Sequence, residues 1–156
     1  QVFCPTGALD QDHQLDATKC ISYHTIENRD VIPVRYWDYL KLYIFGCDIC
    51  QLVCPYNRKA EKINEDQIYL KTKPSLEQIA LMSQREYEAW FGGTPLTRAK
   101  LSGLKRNALI AMVVTQYTDF LKIKPILDQD HTPLIQKTLR QIPEYKAMKE
   151  SLKNKT

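Results

Sequence analysis

The sequence has no long apolar run, which argues against a membrane span. Its longest apolar stretch, Leu109 to Val114, is far shorter than the roughly 18 residues that a transmembrane helix needs. A signal-peptide pattern is also not seen at Gln1. Because 44% of the residues are hydrophobic, the 156-residue chain can still bury a core, and its length favours one domain or two small ones.

One cysteine is missing from an otherwise recognisable spacing. Cys47, Cys50 and Cys54, with Pro55, form the pattern C-x2-C-x3-C-P, which is the end of the bacterial iron–sulfur run C-x2-C-x2-C-x3-C-P. The first cysteine of that run would stand at position 44, where the chain has Ile44. Since a [4Fe–4S] cluster is held by four thiolates, the pattern predicts a replacement ligand elsewhere in the chain.

Two upstream cysteines supply what the run lacks. Cys4 precedes Pro5, as at the end of another such run, and Cys20 lies between the two runs, where it can replace the absent ligand. In two-cluster ferredoxins the cysteine before proline ligates the other cluster. Cys54 is therefore assigned to a second cluster, whose other ligands are expected to precede the start of the chain. The first cluster then has a complete set of ligands: Cys4, Cys20, Cys47 and Cys50.

Two other interpretations of the five cysteines remain open. Disulfides are typical of secreted chains, whereas five thiols reserved for metal indicate a reducing cytoplasm. A structural zinc site could use Cys47 and Cys50 in a helical scaffold with no redox role, although zinc ribbons do not require the third cysteine of C-x3-C-P. We expect His24 to lie at the surface or beside a ligand rather than on the metal.

The charge is distributed unevenly along the chain. Residues 1–93 carry 10 Lys and Arg against 13 Asp and Glu, a net −3, whereas residues 94–156 carry 12 against 5, a net +7. A separately basic segment indicates a polyanionic partner, with nucleic acid first, although a solvated basic helix face is the simpler alternative. A grip on the RNA backbone is predicted at one helix start, from four residues: Arg98, Lys100, Lys105 and Arg106.

The helix-capping residues, glycines and prolines along the chain predict a mainly α fold. We expect a ferredoxin-type region at 1–60, linking helices at 61–93 and HEAT-like helical hairpins with a basic tail at 94–156. Ser75 and Ser83 each begin a capping box, and Gly92-Gly93 is a helix stop. Thr94-Pro95 and Thr132-Pro133 predict helix starts. Pro143 is expected to end the last strong helix, leaving a weakly helical tail.

The ferredoxin-type region carries three further predictions. Cys20 to Glu27 is expected to form a short helix, and the aromatic segment from Tyr36 to Ile44 a helix that packs over the cluster. Gly46 would let the backbone approach the cluster closely. Burial by such elements tunes the reduction potential of a cluster.

At this point the motifs resemble a known family, the epoxyqueuosine reductases. The resemblance covers about residues 1–142. Its more specific part is Cys4-Pro5-Thr6-Gly7-Ala8, Cys20-Ile21-Ser22-Tyr23 with Thr25-Ile26-Glu27, and Gly46 to Pro55. Gly93-Thr94-Pro95-Leu96 and Arg106-Asn107-Ala108 also match the pattern of the family.

The resemblance implies an activity and cofactors. The family reduces epoxyqueuosine to queuosine at the wobble position of certain tRNAs, and passes electrons through two [4Fe–4S] clusters to a cobalamin. A HEAT-like helical domain helps to hold the tRNA. By matching position, Ser22, Cys47 and Asp48 are expected near the cobalamin, and Arg29 near the tRNA. The cobalamin domain is expected before the clusters and outside this chain, which alone should be inactive.

Two functional hypotheses follow from the sequence. In the first, the chain is the iron–sulfur part of a tRNA-modifying reductase, a cytoplasmic monomer that receives electrons from a donor and grips tRNA. In the second, it is a stand-alone ferredoxin-like module that docks on another enzyme. Steeply salt-dependent tRNA binding is expected only under the first hypothesis.

Overall fold

A computed structural model describes residues 3–10, 12–59, 74–118 and 120–154. All regular structure in these ranges is helical, which confirms the predicted mainly α class. Part of the predicted linking segment, residues 61–73, lies outside the described residues. None of the helices described is both long and apolar enough to cross a membrane.

The cysteine-bearing region, residues 3–59, is built from short elements. The predicted helix after Cys20 is present as α1. In chain order the elements are the 3-10 helix Ala17–Lys19, α1 (Ile21–Ile26), the 3-10 helix Val34–Lys41, α2 (Ile49–Leu52) and the 3-10 helix Pro55–Lys59.

The helical region, residues 74–154, has longer elements. They are α3 (Leu76–Leu81), α4 (Gln84–Phe91), the 3-10 helix Pro95–Ala99, α5 (Lys100–Val114), α6 (Phe120–Asp128), α7 (Pro133–Arg140) and α8 (Ile142–Lys153). The prediction that Pro143 ends a helix is wrong, because this proline lies in the first turn of α8. A proline is tolerated there because the first N–H groups of a helix have no intrahelical acceptor.

Local capping signals are confirmed at two helix starts. The Ser75 hydroxyl accepts from the Gln78 N–H, while the Gln78 side chain accepts from the Ser75 N–H. Ser83 and Glu86 make the same reciprocal pair at α4. Each pair satisfies two backbone donors that a helix start otherwise leaves unpaired.

Helix α5 is the centre of the molecule. It packs against α3, α7, α1 and the 3-10 helix Val34–Lys41, so it is buried on nearly every side. Leu104 and Leu109 belong to one apolar cluster with α3, α4, α6 and α7. Ile110 belongs to a second cluster with the 3-10 helix Val34–Lys41 and α8.

The second cluster corrects two predictions. Trp37 is fully buried against this cluster and stacks on Tyr145 with ring centroids 5.2 Å apart. The aromatic segment therefore packs mainly against α5 and α8, while the Tyr39 hydroxyl donates to the Pro5 carbonyl, next to Cys4, at 3.0 Å. The tail predicted to be weakly helical is instead an ordered helix, because Ile142 and Tyr145 are buried in the same cluster.

Two adjacent side chains of α5 join the two regions. Arg106 is fully buried and donates to the backbone carbonyls of His24, Asn28 and Asp30 at 2.6–2.8 Å. Asn107 is also buried and lies next to this contact. These carbonyls lie at or beyond the end of α1, where a helix leaves acceptors unpaired.

Candidate metal centre

The four cysteines assigned to one cluster line a single cavity. Its volume is about 160 Å³. Cys54 is not among the lining residues. All five cysteines are free thiols, so the structure contains no disulfide. The lining cysteines are Cys4, Cys20, Cys47 and Cys50.

Each thiol is presented by a turn or a helix end. Cys20 is the extended residue immediately before α1, and Cys50 lies within α2. Cys47 precedes Asp48, the residue from which α2 starts. Cys4 lies in a turn closed by a hydrogen bond from the Gly7 N–H to its carbonyl, at 3.3 Å. Gly7 has φ +67°, a conformation that glycine adopts without a steric cost.

Apolar side chains form the rest of the cavity wall. Ala8 and Ile21 are buried, and Ile49 is half-buried. They lie between the thiols together with Leu9 and Leu15. An apolar wall of this kind limits the access of water, which is one of the ways in which a protein sets the potential of an iron–sulfur centre.

The environment of Cys4 favours its thiolate. Burial raises the pKa of this thiol, but hydrogen bonds from the Thr6 hydroxyl and from the backbone N–H groups of Thr6, Ala8 and Leu9 together outweigh it, so the net pKa is lowered. The thiolate is the form that binds metal. Hydrogen bonds to the sulfur are also among the factors that set the potential of a cluster.

Cys47 has the opposite electrostatics. Its pKa is raised, first by burial and then by the negative charges of Cys20, Cys50 and Asp48, while the Ile49 N–H acts in the other direction. Thiolates gathered around one cavity repel each other in this way. The positive charge of bound metal cations would offset this repulsion, and a thiol that coordinates an ion is held in its deprotonated form.

A hydrogen-bonded link fixes the two main cysteine segments to each other. The Thr25 hydroxyl donates to the Ile21 carbonyl at 2.9 Å and accepts from the Gly46 N–H at 3.0 Å. Asn107 then donates from its side-chain amide to the carbonyls of both Thr25 and Ile44, each at 2.8 Å. The helix after Cys20 and the loop before Cys47 are thus held to α5.

Gly46 adopts a backbone conformation that favours glycine. Its φ is +77°, so the turn before Cys47 needs a left-handed residue. The atom nearest to an added side chain would be the Cδ1 of Ile26 at 3.9 Å, which is ordinary contact. The backbone conformation therefore accounts for this glycine, and its close approach to a cluster stays a prediction.

His24 is not a surface residue. It is buried, with Nε2 2.8 Å from the Thr18 carbonyl and Nδ1 3.2 Å from the Asn28 amide nitrogen. Burial lowers the pKa of His24, and so do the positive charges of Arg106 and Arg35, while the hydrogen bond to the Thr18 carbonyl raises it; the net pKa is lowered. A neutral ring that donates from Nε2 and accepts at Nδ1 satisfies both contacts.

The donors of the cysteine cavity suit a cluster better than a single ion. Among the described residues, no three His, Cys, Asp or Glu side chains are grouped closely enough for a single ion. The four thiols instead surround a cavity with apolar walls. Four thiolates are the donor set of a [4Fe–4S] cluster, so the residues present fit that group.

The five predicted RNA-binding residues differ in how accessible their side chains are. Arg106 is buried and its donors are all directed inward, so the prediction that it contacts RNA is wrong. Burial lowers its pKa to about 10, which leaves the guanidinium charged at neutral pH. Lys105 is also turned away from a role in RNA binding, because it forms a largely buried ion pair with Asp130 at 2.6 Å.

The other three basic residues are more accessible. Lys100 is exposed at the start of α5. Arg98 is exposed and paired with Glu27. Arg29 is half-exposed and donates to the carbonyls of Arg98 and Ala99, at 2.7 and 3.2 Å. Its guanidinium also donates to the Ile26 carbonyl, so it joins the end of α1 to the 3-10 helix Pro95–Ala99, a contact that sequence reasoning missed.

The residues predicted near a cobalamin lie beside the cysteine cavity. Ser22 is half-buried and follows Ile21, which lines the cavity. Asp48 is exposed and makes no side-chain cap at α2. Neither residue lines the cavity, but Asp48 stands between Cys47 and Ile49, which both do.

Comparison with protein families supports the cluster site. A family model described as a 4Fe-4S double cluster binding domain matches residues 2–57. The chain is 39% identical to an epoxyqueuosine reductase from Gloeobacter violaceus over 117 residues, which are 70% of this chain and 37% of that protein. It is 40% identical to one from Francisella cf. novicida over 113 residues, 70% of this chain and 31% of that protein.

Solved structures give the same result. A selenomethionine-labelled epoxyqueuosine reductase matches with a TM-score of 0.77 and 27% identity, covering 90% of this chain and 38% of that one. Another, solved with a tRNA-Tyr epoxyqueuosine-modified stem loop, matches with a TM-score of 0.74 and 28% identity over 90% and 38% of the two chains. The chain spans about a third of the length of these relatives, and it belongs to the epoxyqueuosine reductase family.

Proposed function

We propose that this chain is the iron–sulfur part of a reductase that converts epoxyqueuosine to queuosine in tRNA. One observation carries the proposal: four cysteines from three separate segments line one apolar-walled cavity. The relatives named above are epoxyqueuosine reductases, and one of them was solved with a modified tRNA stem loop. Both facts support the same reaction class for the longer protein.

The residues have distinct roles in this proposal. Cys4, Cys20, Cys47 and Cys50 hold one [4Fe–4S] cluster, which supplies one-electron transfer when it is bound. Cys54 is one ligand of a second cluster. It is half-buried, ahead of the 3-10 helix Pro55–Lys59.

Three residues at or next to the cysteine cavity are proposed to contact the second cofactor. Ser22, Cys47 and Asp48 are the residues proposed to approach a cobalamin, whose cobalt would carry the electrons to the epoxide. Ser22 and Asp48 would orient polar groups of that cofactor, while the apolar cavity wall keeps water away from the thiolates. Arg29, Arg98 and Lys100 are proposed on the tRNA side.

The boundaries of the units are part of the proposal. Residues 1–60 form the cluster-binding unit, 61–93 the link and 94–156 a HEAT-like helical unit. The hydrogen bonds from Arg106 and Asn107 to the cluster-binding unit support a fixed arrangement of this unit and the helical unit. The full protein is proposed to act as a cytoplasmic monomer that receives electrons from a separate donor.

Anaerobic reconstitution with iron and sulfide tests the cluster assignment. The expected result is about four irons and four sulfides per chain from the four-cysteine set, with a broad brown absorbance that bleaches on reduction. Cys20→Ser should lose most of this absorbance, whereas Cys54→Ser should keep it, because Cys54 does not line the cavity.

Three results would overturn the assignment. Two full [4Fe–4S] clusters per chain would need more thiolates than the five cysteines supply. Equal losses of absorbance in the two serine variants would place Cys54 in the first cluster. Zinc in a colourless protein would support a structural zinc site with no redox role. A loaded chain that shows no salt-dependent affinity for tRNA would instead favour the stand-alone electron-transfer module.

A further inference from the structure

Lysines of α8 and of the 3-10 helix Val34–Lys41 line one open groove. Lys146, Lys149 and Lys153 are spaced at i, i+3 and i+7, so they share one face of α8. Lys41 ends the 3-10 helix and lines the same groove, whose volume is about 440 Å³. Residues three or four positions apart on a helix are neighbours, so the lysines form a continuous row of positive charge.

The floor of the groove is fixed by half-buried contacts. The Tyr145 hydroxyl donates to Asp38 Oδ1 at 2.8 Å, and Lys149 Nζ lies 3.2 Å from Asp38 Oδ2. The pKa of Tyr145 is raised, first by burial and then by the hydrogen bond and charge of Asp38, so the phenol remains a donor. Val113 and Val114 complete the floor from the end of α5.

The lysine row carries an excess of positive charge at the surface. Four lysines line the groove, against the carboxylates of Asp38 and Glu150. Asp38 is already occupied by Lys149 and Tyr145. Lys41 and Lys146 are exposed, and neither has an ion-pair partner in the part of the chain that the structure describes.

The chemistry of the lining selects a class of partner. The single aromatic side chain in the groove, Tyr145, is buried in its floor and offers no face on which a base could stack. Mobile, exposed lysines bind phosphates as point charges and read no base sequence. The groove therefore suits the sugar–phosphate backbone of a nucleic acid better than its bases.

We propose that this lysine groove binds the phosphate backbone of the tRNA on which the reductase acts. The proposal rests on the proposed function and adds a surface to it. It moves much of the RNA contact from the start of α5, where Lys105 and Arg106 are already engaged, to α8. The row of lysines then contacts successive phosphates along one strand.

The test uses the full chain with its cluster reconstituted, and a synthetic, unmodified tRNA anticodon stem–loop as the probe. The double variant Lys41→Gln/Lys146→Gln removes one charge from each side of the groove. The double variant Lys122→Gln/Lys124→Gln removes the same charge from α6, away from the groove. Affinity is measured over a range of salt concentrations, with the cluster absorbance recorded on each sample.

The groove variant should bind the stem–loop more weakly, and its log–log salt slope should fall by about 1.4–1.8 for two lost phosphate contacts. The α6 variant should keep the wild-type slope. Equal effects of the two variants would overturn the groove while leaving the proposed function in place. A loaded wild-type chain that does not bind the stem–loop at low salt would overturn both the groove and RNA binding by this part of the reductase.

Discussion

The cysteine-bearing region and the helical region are stabilised in different ways. Residues 74–154 bury one side of α5 in an apolar cluster of their own, whereas the second cluster joins α5 and α8 to residues 32–40. Residues 3–59 have helices of at most eight residues and leave many large apolar side chains exposed. The exposed ones are Phe3, Leu15, Tyr23, Leu42, Leu52, Val53 and Tyr56.

This difference indicates what each region needs in order to be ordered. The helical region has its own core, whereas the cysteine-bearing region is held to α5 and α8 by the apolar contacts of residues 32–40 and by the hydrogen bonds of Arg106 and Asn107. Coupling of metal binding to folding is general in sites whose ligands come from separate segments. Stability should therefore be most sensitive at the contact between the regions.

Arg106→Met breaks that contact and should have the largest effect. It leaves the carbonyls of His24, Asn28 and Asp30 without their shared buried donor. We expect the free energy of unfolding, measured by urea denaturation, to fall by about 3 kcal/mol or more, because each buried acceptor left unpaired costs about 1–3 kcal/mol. Arg140→Met is the control, since Arg140 is exposed on α7 and its loss should change stability by less than about 0.5 kcal/mol. Similar small losses in both variants would show that the regions are joined by other contacts.

Truncation of a leucine should have unequal effects in the two regions. Leu109 is fully buried in the core around α5, so Leu109→Ala should lower the free energy of unfolding by about 2–5 kcal/mol. Leu52 is 77% exposed, so Leu52→Ala should change it by less than about 0.5 kcal/mol. A large loss at Leu52 would mean that the apolar surface of the cysteine-bearing region is covered within the chain.

The sequence predicted local features better than distant contacts. The capping boxes at Ser75 and Ser83 need only residues within one turn, and both were found. The gathering of four cysteines was also predictable, because metal chemistry restricts their spacing. Arg106 was placed on the surface, since no local pattern shows that acceptors about 80 residues away will surround it.

The C-terminal segment after Pro143 is a second case in which distant contacts, and not local patterns, decide the structure. Pro143 is compatible with either the end or the first turn of a helix, and the composition after it is polar. Packing decides between the two, because Tyr145 stacks on Trp37 from a different region. Asn107, which holds two cysteine segments, was visible only as part of a family motif, without its contacts.

Asp130→Asn tests an ion pair inside the helical region. Asp130 accepts from Lys105 at 2.6 Å and from the Thr132 N–H at 2.8 Å. Loss of the charged hydrogen bond should lower the free energy of unfolding at pH 7 by about 1.5–3 kcal/mol. Lys137→Gln is the comparison, because the exposed pair of Lys137 with Asp30 spans the two regions and is expected to contribute about 0–1 kcal/mol.

The same ion pair predicts a pH dependence. Burial raises the pKa of Asp130, but the hydrogen bonds from Lys105 and Thr132 outweigh it and lower the pKa below the ordinary value of 3.8. A carboxyl whose folded pKa is lowered stabilises the protein above its unfolded pKa, and this stabilisation is lost as the pH falls through the folded pKa. The difference in stability between wild type and Asp130→Asn should therefore shrink below about pH 4. A difference that stays constant to lower pH would contradict the ion pair.

Ser83→Ala should have the smallest effect and compares the helix starts of the two regions. The Ser83 hydroxyl accepts from the Glu86 N–H at the start of α4, and its loss should lower the free energy of unfolding by about 1 kcal/mol. Asp48 begins α2 without a side-chain cap, so Asp48→Ala in the metal-free chain should cost less than about 0.5 kcal/mol. Helix α2 thus starts next to the Cys47 thiol without a side-chain cap, whereas α4 starts at a serine that caps it. Equal costs at the two positions would remove that distinction.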